Sequence, residues 1–127
     1  MFQLPPNFKK DVSRLKAFLG FIANKTSVAF EFRHASWLDD EVYDCLRAHS
    51  CALCANDTDD APSPDLVSAA GWGYLRLRRE GYTDKSLGEW IAKLRSQEWN
   101  EAYVFFKHED TGTGPKLAAR FLELAGK

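Results

Sequence analysis

From Phe8 to Ala23 the apolar residues Val12, Leu15, Phe18, Leu19 and Ile22 recur at helical spacing, which predicts an amphipathic helix after the proline-stiffened Phe2–Pro6 segment. Ser27 to Arg33 switches to a period of two. Val28, Phe30 and Phe32 fall on one parity and Ala29, Glu31 and Arg33 on the other, so a strand with one apolar face is expected. A second helix is predicted from about Trp37 to Ala48, with Leu38, Val42 and Leu46 in phase and Asp39, Asp40 and Glu41 near the positive end of its dipole. Cys51 to Ala55 reads as a short strand ending in Asn56-Asp57, and Pro62 to Ala70 as a short helix or turn. Tyr74 to Arg78 and Ala102 to Lys107 predict two further strands. Between them Leu87, Trp90, Ile91 and Leu94 mark a helix over Ser86–Leu94, and Gly112, Gly114 and Pro115 lead into a last helix carrying Leu117, Ala118, Phe121 and Leu124.

Helix and strand alternate throughout, which implies an α/β domain with parallel strands. At 127 residues, 45% of them hydrophobic, the chain suits one domain spanning 1–127. Parallel strands buried on both faces are nearly continuously apolar, yet here the strands carry charge on one parity. A barrel whose inward parity opens into a mouth at the strands' carboxyl ends accounts for Glu31, Arg33, Arg76, Arg78 and Lys107. The competing account is a sheet covered by helices on one face, with the charges solvated on the other.

Seventeen Lys and Arg against eighteen Asp and Glu leave a net charge of -1, so nothing pulls the chain as a whole toward nucleic acid or an anionic membrane. The tryptophans add no stacking stripe, and nucleic acid is not an expected partner. No apolar run is long enough to cross a bilayer, and no secretory leader is recognisable, so a soluble, cytoplasmic protein is expected. Three cysteines, Cys45, Cys51 and Cys54, fit that compartment as reduced packing residues. Cys51 and Cys54, three apart on a strand, face opposite sides and make no metal pair.

Five segments occur in order: Phe2-Gln3-Leu4-Pro5-Pro6, Phe30-Glu31-Phe32-Arg33-His34 with Trp37, Asn56-Asp57, Tyr74-Leu75-Arg76-Leu77, and Phe105-Phe106-Lys107-His108-Glu109-Asp110. Together they resemble the domain of unknown function 72 family (YecE-like) over nearly the whole chain. The resemblance implies the C-terminal half of a TIM-type (β/α)₈ barrel of about twice this length, entered near the end of the fourth strand. The family's Gly-Thr-Ser-Gly-Trp and Asn-Ser-Thr-Phe-Tyr type segments are absent, and Arg78-Arg79 stands where many relatives resemble His-Gly.

The candidate pocket residues carry two readings each. Glu31 is a general base, or the ionic partner of Arg33 two positions on; His34 transfers protons, or packs a turn. Asn56 and Asp57 present an amide and a carboxylate to a polar ligand, or close a loop. Arg76 and Arg78 grip phosphate or carboxylate, or neutralise nearby glutamates. Lys107, His108 and Glu109 complete the substrate-binding set, and no local motif marks a metal site among Glu31, Asp57, His108 and Glu109. The sequence leaves the cofactor unknown. The expected function is a barrel enzyme acting on a small polar or phosphorylated metabolite; the alternative is a non-catalytic binding or assembly module. Four strands with two open edges further predict a homo-oligomer, in which two copies close one barrel.

Overall fold

Parallel strands and helices alternate along the chain to give an α/β fold. The computed structural model describes residues 2–5, 7–22, 27–106 and 112–126. In chain order these are β1 (Phe2–Gln3), α1 (Val12–Ile22), β2 (Ala29–Glu31), a 3₁₀ turn (Ala35–Trp37), α2 (Asp40–Ala48), β3 (Ala52–Asp57), β4 (Trp72–Leu77), α3 (Asp84–Arg95), β5 (Glu101–Phe106) and α4 (Thr113–Leu124). The sheet runs β1-β2-β3-β4-β5, and every neighbouring pair is parallel. The first of these five strands has two residues, too few for the sequence pattern to reveal.

Three boundaries differ from expectation for local reasons. Residues 8–11 do not join α1, because the Trp37 indole N–H donates to the Phe8 carbonyl (2.7 Å) and the Lys10 N–H to Ser36 Oγ (2.8 Å). Those two bonds hold the segment against the 3₁₀ turn. The second helix starts at Asp40 rather than Trp37, since Asp39 caps it by accepting the Val42 N–H at 3.0 Å. Residues 62–70 form no helix. Pro62 and Pro64 remove two backbone donors there, and the connection from β3 to β4 runs as an irregular segment.

The helices cover one face of the sheet through two apolar clusters. Phe30 and Phe32 join Leu15, Leu19, Trp37, Val42 and Leu46 in the first, where Phe8, Trp37, Phe32 and Phe30 stack in series at centroid distances of 5.8, 4.6 and 5.8 Å. Leu75 and Leu77 join Leu87, Trp90, Ile91 and Phe121 in the second. The irregular 58–71 segment spans both, with Val67 and Ala69 in the first and Leu66 in the second. It stands in for the helix this unit lacks. Beneath β4, a Cβ at Gly73 would lie 2.3 Å from the Trp99 ring, so only glycine admits that stacked indole.

Candidate functional site

The open face of the sheet carries the other parity. The register places Gln3 beside Glu31, Cys54 beside Tyr74 beside Tyr103, and Asn56 beside Arg76 beside Phe105. Glu31, 2% exposed, accepts a 2.6 Å hydrogen bond from Arg76 Nη1, and Gln3 Nε2 donates to its other oxygen at 3.3 Å. The Cys54 thiol lies 3.8 Å from the same carboxylate. Burial first and the Glu31 charge second push that thiol up to about 12, which leaves it an inert packing group at neutral pH. Arg33 approaches Glu31 only at 3.9 Å and stays 37% exposed.

Arg78 follows β4 and extends the ladder by one bond, its N–H donating to the Asp57 carbonyl at 2.9 Å. Its guanidinium forms no ion pair among the described residues. The exposed Asp60 carboxyl is held below its usual value, first by a hydrogen bond from Thr58 and, further down, by the charges of Arg33 and Arg78. The Asp60 carboxylate, just past the carboxyl end of β3, thus lies within electrostatic reach of both guanidiniums. Asn56 Oδ1 is buried there without a partner among the described residues.

Asp57 departs from the sequence reading. Adjacent strand residues point to opposite faces, so Asn56 shares the open face while Asp57 is sealed, fully buried, on the helix side. Its Oδ1 accepts from Arg79 Nε (2.6 Å) and Ser63 Oγ (3.2 Å), and its Oδ2 from the Tyr82 hydroxyl (2.7 Å). Asp57 and Glu31 thus cannot present oxygens to one metal ion. His34 caps the 3₁₀ turn, its Nδ1 accepting the Ser36 N–H at 3.1 Å and lying 2.8 Å from Ser36 Oγ. Lys107, His108 and Glu109 lie outside the described residues. Arg79, Tyr82, Ser63 and Gln3 were not among the sequence candidates. Arg79 had a signal, as half of the Arg78-Arg79 pair, but it lies one residue past the predicted strand Tyr74–Arg78, so no side was assigned to it.

The model of the family described as protein of unknown function DUF72 matches residues 1–127. The chain belongs to the DUF72 family. No curated protein matches it significantly. Among solved structures, a DUF72 family protein from Thermotoga maritima superposes with a TM-score of 0.78 at 23% identity, covering 98% of this chain and 56% of that one. A DUF72 family protein from Enterococcus faecalis gives 0.74 at 17% identity, covering 98% and 59%. At these identities the likeness establishes the DUF72 fold, and the chain spans a little over half the length of either relative. Among the described residues no helix is long and apolar enough to cross a membrane.

Proposed function

We propose that the chain forms the C-terminal half of a (β/α)₈ barrel and binds a small anionic or polar metabolite, such as a phosphate monoester, at the carboxyl end of its sheet. The carrying observation is that Arg33 and Arg78 follow the carboxyl ends of β2 and β4, the first in loose contact with Glu31 and the second without an ion pair among the described residues. Forked donors of this kind match phosphate or carboxylate oxygens. Asn56 adds an amide whose acceptor lacks a partner, suited to a ligand hydroxyl. Arg76, buried and bonded to Glu31 through Nη1 at 2.6 Å, orients the site through that carboxylate rather than serving as the main anion contact. Lys107, His108 and Glu109 follow β5, whose register brings its end beside that of β4, and they complete the set.

Within a barrel enzyme, proton transfer falls to Glu31 or His34. A second reading, a non-catalytic binding or assembly module, is favoured by one observation: Glu31 is occupied by Arg76 and Gln3, and His34 Nδ1 by the turn it caps. In either case the free outer edge of β5, with Tyr103 and Phe105 about half exposed, suits pairing with a further strand, and a homodimer is the proposed assembly. Calorimetry with inorganic phosphate tests the binding claim. The double variant Arg33→Ala/Arg78→Ala is expected to weaken binding by tenfold or more, and unchanged affinity refutes the site.

A further inference from the structure

We infer that Asp57 is a positioning residue that aims Arg78 at the anion, and not a ligand contact. The inference rests on the reading of Arg33 and Arg78 as the anion site. Asp57 is fully buried and points away from that site, so its carboxylate cannot touch a molecule held there. What it does touch are two connections. Through Ser63 it holds the 58–71 segment, and through Arg79 and Tyr82 it holds the turn between β4 and α3.

Those contacts are reinforced from both sides. Arg79 also donates to the Ala61 carbonyl, the Glu80 N–H donates to Asp59 Oδ2 at 3.0 Å, and the Arg79 N–H donates to the Tyr82 hydroxyl at 3.1 Å. Arg79 is therefore gripped at its backbone and at its guanidinium, on the helix side. Neighbouring residues of an extended chain point opposite ways, so fixing Arg79 on that side commits Arg78 to the face that carries Arg33, Asn56 and Arg76. The Arg78 N–H bond to the Asp57 carbonyl sets the height at which this happens. A cavity of about 200 Å³ opens beside the turn, lined by Tyr82, Ser86, Trp90 and Lys93 among others. The hydrogen bonds thus act beside the packing of the Tyr82 ring on Phe106, at a centroid distance of 5.9 Å, in holding the turn.

The test is phosphate calorimetry on the full chain carrying Asp57→Asn, Arg78→Ala and both together. Asp57→Asn is expected to weaken inorganic phosphate by about tenfold, the scale of one charge-assisted contact. The double variant is expected to bind no worse than Arg78→Ala alone, because Asp57 acts through Arg78. Losses that add in the double variant overturn the inference, as does unchanged affinity in Asp57→Asn. Tyr82→Phe, which removes two bonds of the clasp, those to Asp57 Oδ2 and from the Arg79 N–H, serves if Asp57→Asn does not fold. Amide hydrogen exchange supplies a readout independent of the ligand: residues 58–71 and 78–83 are expected to exchange faster together in either variant, and unchanged exchange sinks the clasp. A parent chain that binds no phosphate sinks the anion reading and Asp57's part in it, while the exchange result still decides whether the clasp exists.

Discussion

Glu31 and Asp57 are both buried carboxylates near strand ends, and each meets an arginine from β4 or the residues just after it, yet they do different mechanical work. Glu31 lies on the open face, and its partner Arg76 has a side chain only 10% exposed. That pair braces β2 against β4 across the strand between them. Asp57 lies on the helix side, and its partner Arg79 is 27% exposed, with its guanidinium reaching out to the loop. This second cluster ties connections rather than strands. The same acid–base chemistry becomes a sheet brace or a loop clasp according to strand parity alone.

The largest test of this contrast is Glu31→Ala. It leaves the Arg76 charge buried without its partner, and a loss of about 3–5 kcal/mol in urea unfolding is expected. Arg79 can turn to water where Arg76 cannot, so removing Asp57 is expected to cost less; equal losses at the two sites break the contrast. Tyr82→Phe comes next, at about 1.5–3 kcal/mol for a hydrogen bond to a charged group. Replacing both members of the sealed pair, Glu31→Met with Arg76→Met, should recover most of the single-variant loss, since an apolar pair needs no desolvated charge.

Alkaline pH separates the two clusters further. Tyr82 is raised above the usual phenol value by burial and then by its bond to Asp57, while Cys54 is raised to about 12 by burial and then by Glu31. Each folded group holds its proton more tightly than the unfolded one. The stability they contribute is therefore complete below the ordinary values of 9.0 for the thiol and 10.0 for the phenol, and it falls as pH rises beyond them. Unfolding midpoints from pH 8 to 11 should show this decline, with Cys54→Ala flattening the earlier part and Tyr82→Phe the later. The smallest expected effect is at an exposed pair. Arg120 binds both oxygens of Asp84 (2.9 and 2.7 Å) between α4 and α3, and Arg120→Ala should move the midpoint least of all these variants.

The open face was legible because period-two patterning in β2 and β4 puts Glu31 and Arg76 on one side, although the close partner of Glu31 is Arg76 and not Arg33 two positions on. The same rule misplaces Asn56-Asp57 when the two are treated as a unit, since neighbours on a strand cannot share a face. Arg79 and Tyr82 were missed for another reason: both lie past the predicted strand Tyr74–Arg78, so no pattern placed them beside Asp57. Over Pro62–Ala70 the alternatives of short helix or turn resolve to an irregular path, because the prolines remove backbone donors and the apolar residues split between two clusters. β1 was hidden by brevity. The α/β class survives all of these local errors because it depends on the order of elements and not on their ends.

Each strand of the sheet pairs only with the strands before and after it in the chain. The first apolar cluster draws on residues 4–69 and the second on residues 55–125, and they overlap in β3 and the segment that follows it. No hydrogen-bonded strand pair among the described residues waits for a distant part of the chain. Such a topology has a low contact order for a parallel sheet, so the entropic cost of bringing strands together is met in short increments. In a sheet built this way the strands β1 to β3 can assemble with α1 and α2 on near-neighbour contacts and then offer an edge onto which β4 and β5 are laid.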